Sequence, residues 1–386
     1  MVLAVPLVGI PVVQSPAAAA SQSASVHTEE SKGESAGLDV EDEVGIWQSD
    51  FNVATTELAV AFPEDFAEAV INDDSVSGWI GFRSATPEGA MPLLDKLTSV
   101  TIQENMGYSA VEVDTSASDL LRQAETFRGG FDQVVVFREG ATQTFEIRFG
   151  SESGNEAGNE ASRGVQVEES LTADEILPPN FGVNVESSNE DLISTEASNG
   201  GLSLGGCTTA FPIKRNGGAE LGLLTAGHCP GTGTYDGVAN AFNSPYPGSL
   251  LTTDVGNGGD FRWNWSKYML SGRTYIGGTT RAFTQAANAA TGTSICVYGR
   301  NTDDCTKVVA KQDVYYSAWI PDGNAYYRVG PLRGTAEHIT EPGDSGGPWY
   351  RYQVAYGIHS GAVDGGSVFS TLPNALNRLG VSLWVG

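Results

Sequence analysis

A short segment near the end of the chain has the residue types and the spacing of a nucleophile site. Residues 341–348 read Glu-Pro-Gly-Asp-Ser-Gly-Gly-Pro, so glycines flank an Asp-Ser pair that ends in Ser345. Glycine lets the backbone turn sharply and lie bare, so one hydroxyl and nearby N–H groups can face a reacting carbonyl. Ser345 is therefore the candidate nucleophile.

A serine hydroxyl is a weak nucleophile at neutral pH and needs a base within hydrogen-bond reach. The chain has four histidines, at positions 27, 228, 338 and 359. His228 ends the run Leu-Leu-Thr-Ala-Gly-His over residues 223–228, in which a buried strand would deliver the imidazole to a site. His228 is the candidate base, whereas His27 lies in a polar terminal segment and is assigned no role.

The two segments together resemble the trypsin/chymotrypsin superfamily of serine proteases. Thr-Ala-Gly-His-Cys ends at Cys229, and Gly-Asp-Ser-Gly-Gly-Pro ends at Pro348. The match is with the bacterial secreted branch, the streptogrisins and alpha-lytic protease, and it covers about residues 195–386. It implies a serine endopeptidase without cofactor or metal, acting on proteins or peptides through a Ser-His-Asp triad. The implied fold is an all-β catalytic domain of two six-stranded antiparallel Greek-key barrels with the site between them.

The order of the triad in this superfamily places the aspartate between His228 and Ser345. Asp260 follows a Gly-Gly pair and opens the alternating run Phe-Arg-Trp-Asn-Trp over residues 261–265, as a strand would. Asp254 is the rival candidate, but no strand pattern follows it. Asp260 is the expected third member, which would hold the imidazole tautomer.

Gly-x-Ser-x-Gly also occurs at the nucleophile elbow of α/β-hydrolases, in which the acid and the histidine follow the serine. Only 41 residues follow Ser345 here, and they hold one histidine and one aspartate, His359 and Asp364, almost adjacent. Too little chain remains for that arrangement. The elbow interpretation is rejected.

The resemblance also implies the residues that surround the reacting bond. The oxyanion hole would be formed by the backbone N–H groups of Gly343 and Ser345. The expected substrate-binding residues are His338, Thr340, His359, Ser360, Gly361 and Ala362, the last three pairing with the substrate backbone as an added strand. A histidine in the place of His359 favours an acidic side chain before the scissile bond, although a purely structural histidine, or a basic preference set by Glu337, remain alternatives.

Buried Asp344 needs a partner, and the arginine that the bacterial relatives use there is replaced by Val297, so Arg300 is the candidate substitute.

All four cysteines lie in the second half of the chain, and their spacing does not match a structural zinc site. Three disulfide pairings are possible, and an oxidising compartment is implied. The resemblance selects Cys207 with Cys229, and Cys296 with Cys305. Ile339 stands where relatives have a further cysteine.

Charge divides the chain into two halves. Residues 1–199 carry 8 Lys and Arg against 35 Asp and Glu, a charge of −27, and residues 200–386 carry 13 against 12, a charge of +1. These charges give the total of −26. No basic face is available for nucleic acid.

Composition divides the chain further. Met1 to Val13 is nearly all apolar and precedes four alanines, so it resembles a signal peptide and predicts secretion. The predicted divisions are a signal peptide at 1–20, a disordered acidic segment at 21–44, a small α/β pro-region at 45–150, an acidic linker with the pro-cleavage site at 151–198, and the protease domain at 199–386.

The pro-region pattern alternates short helices and strands. Predicted helices are 55–71, 87–97 and 116–127, and predicted strands are 77–82, one near Val100, and a hairpin of 132–138 with 142–149. Residues 165–167 and 181–185 show strand-like alternation within the linker. On position alone the region resembles the pro-region of the bacterial family, a folding partner and temporary inhibitor.

The remaining expectations concern partners and the alternative functions. We expect a monomer with no membrane and no nucleic-acid partner. An independent binding domain is the alternative for the N-terminal half. A catalytically inactive binding or adhesion module on the same fold is the alternative for the second half.

Overall fold

The chain divides into two units, Met1–Leu38 and Asp39–Gly386. A computed structural model describes, within the second unit, residues 40–127, 131–150, 176–188, 192–194, 203–204, 206–229, 234–235, 238–239, 258–266, 271–320 and 325–385. The predicted signal peptide, the segment 21–39 and the strand-like residues 165–167 lie outside this set.

The N-terminal domain begins with helix α1, Val40–Ala61. The helix ends two residues before Pro63, as the restriction on residues that precede proline predicts. The prediction of a disordered segment through residue 44 is therefore wrong at its end, and the predicted helix start at residue 55 is 15 positions too late.

A three-stranded sheet follows α1. Strand β1, Phe66–Ile71, pairs antiparallel with β2, Gly78–Phe82, and β2 pairs parallel with β3, Val100–Gln103. The last six residues of the predicted helix 55–71 are therefore a strand. The predicted helix 87–97 is shorter in the structure, a 3₁₀ turn at Glu88–Ala90 and helix α2 at Met91–Leu94.

Helix α3, Ala110–Thr126, covers a second sheet of this domain. The sheet consists of β4, Gln133–Glu139, antiparallel β5, Thr144–Gly150, and β6, Gly182–Ser187, which runs parallel to β5. Buried residues recur on α3 at 113, 117, 120, 121 and 124, the spacing of one helix face, and pack on the sheet. The predicted hairpin is confirmed, and β6, which pairs with it, lies in the segment predicted as a linker.

The C-terminal domain is built almost entirely of strands, as the family resemblance implies. In chain order the strands are β7, Ile193–Ser194; β8, Ser203–Leu204; β9, Cys207–Thr208; β10, Pro212–Arg215; β11, Leu221–Thr225; β12, Thr234–Tyr235; β13, Val238–Ala239; β14, Arg262–Trp265; β15, Thr274–Ile276; β16, Thr279–Arg281; β17, Gln285–Ala286; β18, Ser294–Tyr298; β19, Asp303–Ile320; β20, Ala325–Thr335; β21, Pro348–Arg351; β22, Val354–Val363; β23, Gly366–Thr371; and β24, Val381–Leu383. Helix α4, Leu372–Leu379, precedes β24.

The first half of this domain is a four-stranded antiparallel sheet in the order β14, β11, β10, β24. Leu224 lies opposite Trp263 in it, and Ile213 lies opposite Leu383. Within the described part of the chain, β8 pairs with β9, β12 with β13, and β15 with β16 as separate ribbons. Among the described residues, four strands of the first barrel form one sheet. Several of the residues that connect these strands are not described by the structure.

The second barrel has the six predicted strands. They pair in the order β18, β21, β22, β23, β20, β19, and β19 pairs back with β18, which closes the ring. Two of these strands are long, since β19 has 18 residues and β20 has 11. The predicted all-β architecture of the C-terminal domain is confirmed.

The two domains share one sheet. Strand β4 of the N-terminal domain pairs antiparallel with β19, with Val135 opposite Tyr316 and Gln133 opposite Ala318. A buried apolar cluster crosses the junction and includes Phe137 of β4 and Val314 of β19. The barrel strands therefore continue into the N-terminal sheet without a break.

Both predicted disulfides are present, Cys207–Cys229 and Cys296–Cys305. Ile339, which replaces a cysteine of the relatives, packs against the cluster around Trp349, and its backbone N–H donates to Ser367 Oγ at 3.0 Å. Packing and this hydrogen bond hold its loop. Among the described helices, none is long and apolar enough to cross a membrane.

Candidate active site

The predicted base and acid meet directly. Strand β11 ends at Thr225, and the turn after it presents His228, whose Nδ1 lies 2.6 Å from Oδ2 of Asp260. The backbone N–H of His228 donates to the other carboxylate oxygen of Asp260 at 2.9 Å. Two bonds to one carboxylate fix both the position and the orientation of the imidazole. With its proton on Nδ1, the ring has Nε2 as its basic nitrogen.

Asp260 is completely buried, immediately before β14. The Ser360 hydroxyl donates to Oδ2 of Asp260 at 2.7 Å, and the backbone N–H of Asp260 donates to Ser370 Oγ at 2.9 Å. Burial raises the pKa of Asp260, but the charge of His228 and the hydrogen bonds from His228 and Ser360 outweigh burial, so the pKa lies below its ordinary value. Asp260 therefore remains a carboxylate behind the imidazole. The rival Asp254 lies outside the described residues.

Arg262 supports the histidine turn from behind. Its Nε donates to the carbonyl of Gly227 at 3.0 Å, and its terminal nitrogen donates to the same oxygen. Burial lowers the pKa of Arg262. The guanidinium thus holds the backbone that carries His228.

The serine segment packs against the histidine turn. Thr208 N–H donates to the carbonyl of Ser345 at 2.7 Å, and Sγ of Cys229 lies 3.7 Å from that oxygen. Gly346 has φ of +85°, and a Cβ there would lie 2.1 Å from Thr225 Oγ1. Only glycine fits this turn, which brings the chain of Ser345 beside the residue that follows His228.

The turn before the serine is held by Asp344. Its Oδ1 accepts from the backbone N–H of Asn301 at 2.9 Å, and its Oδ2 accepts from the N–H of Glu341 at 2.8 Å. Arg300, the predicted partner, is exposed, and these backbone N–H groups satisfy the carboxylate. Gly343, a predicted oxyanion-hole donor, has φ of +108°, a conformation that favours glycine.

The predicted specificity residues differ in environment. Thr340 is buried, and its hydroxyl lies 2.8 Å from Ser367 Oγ, whereas His338 is exposed. His359 is completely buried, and its Nδ1 accepts a hydrogen bond from Trp349 Nε1 at 3.3 Å. Its carbonyl accepts from Gly346 N–H at 2.8 Å, so His359 contacts the segment of the nucleophile.

The segment Ser360 to Ala362 lies on β22, and another part of the same chain is paired beside it. In β7, Ser194 is opposite Ala362 and Ile193 is opposite Val363, antiparallel. An added strand of this kind is how a substrate backbone is expected to bind. The chain thus places its own residues 193–194 next to the predicted substrate-binding segment.

Several supporting residues were not found from the sequence. Ser367 and Ser370 lie on β23 and Trp349 lies on β21, and a serine or tryptophan in a strand carries no signal of its own. Gln133 of the N-terminal domain, which binds the β7 segment, was missed for the same reason. Only the hydrogen-bond partners of the motif residues identify them.

A buried aspartate behind a histidine, beside a glycine-flanked serine between β-sheets, is the arrangement of the trypsin/chymotrypsin superfamily. The chain resembles bacterial serine proteases of this superfamily over part of its length. The chain is 30% identical over 167 residues to Serine protease 1 of Rarobacter faecitabidus, which covers 42% of this chain. The match spans 29% of that relative, less than a third of its length.

Solved structures of similar fold include three further proteases. A glutamic acid specific serine protease with a histidine triad in substrate binding has 23% identity and a TM-score of 0.38, and the match covers 46% of this chain and 93% of that one. Nocardiopsis protease has 22% identity, a TM-score of 0.36, and coverage of 50% and 99%. Cellulomonas bogoriensis chymotrypsin has 22%, 0.33, and coverage of 51% and 100%. No family model matches the chain.

Proposed function

We propose that the chain is a secreted serine endopeptidase, synthesised with an N-terminal pro-region that is later removed. The carrying observation is the bond between His228 Nδ1 and Asp260 Oδ2, 2.6 Å long, beside the turn of Ser345. A carboxylate buried behind an imidazole orients the ring as a general base and stabilises the imidazolium that forms. Protein or peptide substrates are the partners that this chemistry requires, and no metal or cofactor is needed.

The reaction follows from the named atoms. Ser345 Oγ attacks the substrate carbonyl, and His228 Nε2 takes its proton and then gives it to the leaving amine, which releases the first product. Asp260 stabilises the imidazolium that forms between these steps. Water then hydrolyses the ester on Ser345 with the same proton transfers. Backbone N–H groups of Gly343 and Ser345 stabilise the oxyanion, and each such donor contributes about 10²–10³-fold in rate.

The test is covalent labelling of the purified, processed chain with a fluorophosphonate. We expect one label per chain, on Ser345, and loss of peptide hydrolysis in step with labelling. Ser345→Ala abolishes both, and the exposed Ser271→Ala control changes neither. An inactive binding module is the competing function. It predicts no labelling and no hydrolysis in the wild type, which would refute our proposal.

We further propose a preference for an acidic side chain before the scissile bond. Support comes from the buried His359 and from the hydroxyls of Thr340 and Ser367, which supply polar groups at the predicted pocket. A peptide library that varies this position measures the preference. Higher kcat/KM after Glu than after Phe or Arg is expected, and equal turnover of the three contradicts it.

The N-terminal domain is proposed to act as a folding partner and inhibitor of the protease. Asn52 on α1 supports this role, because its side chain accepts from Ala290 N–H at 2.9 Å and donates to Tyr356 at 3.2 Å. Arg138 on β4 forms a buried ion pair with Asp313 on β19. Expression of residues 199–386 alone should give inactive protein, and supply of residues 1–198 in trans should restore activity. Full activity without them would exclude the folding role.

A further inference from the structure

A β-turn lies directly before the candidate nucleophile. The N–H of Asp344 donates to the carbonyl of Glu341 at 3.0 Å, which closes the turn. Pro342 and Gly343 are its two central residues, and Gly343 has φ of +108°. A positive φ at the second central residue is the property of a type II turn. The structure therefore has the type II form at this position.

The sequence of this turn permits a second form. Types I and II differ in the orientation of the central peptide group, which is rotated by about 180° between them. Proline fits the first central position of both types, and glycine can adopt the backbone angles that either type requires at the second. The residues of the turn thus leave the orientation of the Pro342–Gly343 peptide open, and a group outside the turn must select it.

The orientation of this peptide decides whether the predicted oxyanion hole is complete. The carbonyl of Pro342 and the N–H of Gly343 belong to the same planar trans peptide, so they point in opposite directions. Rotation to the type I form would exchange the two groups, and a carbonyl oxygen would then lie where a donor is predicted. That oxygen would repel the negative charge that develops during acyl transfer.

Asn301 binds the carbonyl of this peptide. Its Nδ2 donates to the Pro342 carbonyl oxygen at 2.8 Å. Its backbone N–H donates to Oδ1 of Asp344, the last residue of the turn, at 2.9 Å. The loop that carries Asn301 is closed by the disulfide between Cys296 and Cys305. The backbone of Asn301 is therefore fixed by contacts that do not depend on its side chain.

The other predicted donor is held by the backbone. The N–H of Ser345 belongs to the peptide between Asp344 and Ser345, and the carbonyl of that peptide accepts from the N–H of Gly347 at 2.8 Å. The peptide that bears the Gly343 N–H is bound by the Asn301 amide instead. A substitution at Asn301 can therefore disturb one donor and leave the other in place.

We propose that Asn301 is a positioning residue for the oxyanion hole, whose amide keeps the Pro342–Gly343 peptide in the orientation that directs the Gly343 N–H at the reacting carbonyl. The inference rests on the proposed peptidase function. It adds a residue that belongs neither to the triad nor to the predicted oxyanion-hole donors. Asn301 acts through the peptide that it binds and touches no substrate.

The test begins with Asn301→Leu in the full-length chain, and peptide hydrolysis by the purified enzyme gives kcat and KM. Leucine keeps the size of the side chain and removes the donor. The change should lower kcat about tenfold and alter KM less than about twofold, because the oriented N–H acts on the transition state. A missing donor costs about 10²–10³-fold, and the loss here is smaller because water also reaches the exposed Asn301 contact and part of the molecules keep the type II form.

Two further substitutions at this position vary the polarity of the contact. Asn301→Asp replaces the donor with an acceptor that repels the Pro342 carbonyl, so the loss of kcat should approach about 10²–10³-fold. Asn301→Gln keeps the amide and should retain most of the wild-type kcat. The same changes to Leu and Asp at Asn216, which is exposed in the turn after β10, are the matched controls and should leave kcat and KM unchanged.

A pair of inhibitors separates positioning from a general distortion of the site. A peptide aldehyde adds to Ser345 Oγ, and its oxygen then occupies the oxyanion hole, whereas the matching peptide alcohol binds without reaction. Asn301→Leu should raise the Ki of the aldehyde about tenfold and leave the Ki of the alcohol unchanged. A merely structural role of Asn301 would raise both alike.

The outcomes separate this inference from the proposed function. If the wild type neither cleaves peptides nor binds the aldehyde, the proposed peptidase function fails, and the inference fails with it. If the wild type is active and Asn301→Leu and Asn301→Asp keep its kcat and its aldehyde affinity, the role of Asn301 alone is refuted. An equal rise of both Ki values also refutes that role. Urea midpoints close to that of the wild type, measured in a Ser345→Ala background, show that the variants fold.

Discussion

At the scale of single residues, the site depends on how Asp260 is charged. The carboxylate accepts from His228 twice and from Ser360 once, and these interactions keep its pKa low in spite of burial. Three donors to one buried acceptor leave it no way to rotate. The imidazole is therefore held in one tautomer before any substrate arrives.

Asp260→Asn should lower kcat by about 10⁴-fold, because an amide can donate to Nδ1 and stabilise the wrong tautomer. The measurement is kcat on a peptide substrate at pH 7 to 8. The exposed Asp303→Asn is the matched control and should retain wild-type kcat. A loss of less than tenfold for Asp260→Asn would mean that another group orients His228.

Gly346→Ala should destabilise the chain by more than about 2 kcal/mol, because the new Cβ would lie 2.1 Å from Thr225 Oγ1 and 2.2 Å from the Thr208 carbonyl. Gly365→Ala is the control for backbone strain alone. It has φ of +68° with nothing within 4 Å of the new Cβ, and about 1 kcal/mol is expected. Urea unfolding of both in a Ser345→Ala background, which prevents self-digestion, measures the difference. Equal losses would show that the close approach at Gly346 costs nothing.

The motif residues could be predicted because each is part of a local pattern of small residues around one reactive group. The sequence predicts His228 and Ser345 in this way, and the strand pattern after the Gly-Gly pair predicts Asp260, which lies 2.6 Å from His228. The groups that hold them could not be found, because the Arg262 guanidinium and the Ser360 hydroxyl act across the fold. The partner of Asp344 was missed because backbone N–H groups, which every residue has, provide the bonds.

At the scale of elements, α3 shows how local sequence fixes a boundary. Ser109 Oγ accepts from Glu112 N–H at 3.3 Å, and the Glu112 carboxylate accepts from Ser109 N–H at 2.8 Å, a reciprocal capping box. The helix therefore starts at Ala110 and not at residue 116, where its apolar spacing alone suggested a start.

Ser109→Ala should lower the free energy of unfolding of the N-terminal domain by about 1 kcal/mol, because an N-terminal amide of α3 loses its acceptor. Urea unfolding in the Ser345→Ala background is the measurement. Thr115→Ala, whose hydroxyl donates to Val111 O within the same helix, is the control and should change stability less. Equal effects would mean that the cap contributes nothing specific.

Short apolar runs were the elements most easily misread. Phe66–Ile71 continues the apolar pattern of α1, and a six-residue run does not distinguish a strand from a helix. Pro63 is the signal that separates the two elements. The closed ring of the second barrel could be expected from the family resemblance. The pairing of β4 with β19 could not, because backbone hydrogen bonds form with any strand edge and leave no sequence pattern that identifies the partner.

At the scale of the whole molecule, the domains are joined by buried ionisable groups. Asp114 of α3 accepts from the hydroxyl of Tyr315 on β19 at 2.5 Å. Burial and the nearby Asp313 raise the pKa of Asp114 to about 6, although the Tyr315 bond and Arg333 act in the opposite direction. The joined state therefore binds a proton more readily than the separated state.

Because this pKa is raised, the contribution of Asp114 to stability is present at low pH and is lost as pH rises through about 6. Between pH 7 and pH 5, protonation of Asp114 should favour the joined state by roughly tenfold. Urea midpoints of the Ser345→Ala chain at pH 5 and pH 7 measure the summed effect of all titrating groups on stability. Asp114→Asn should remove the share of Asp114 from this pH dependence. An identical pH dependence in both chains would contradict the assignment.

The sheet that the two domains share covers the backbone amides of β19 that face β4. If the N-terminal domain is removed as proposed, β19 becomes an outermost strand over residues 311–318, and these amides meet water. Deuterium uptake at residues 311–318 should therefore be slow in the full-length chain and fast after the removal, whereas β22 in the barrel should stay protected. Hydrogen exchange in this one strand would thus report the proposed removal directly.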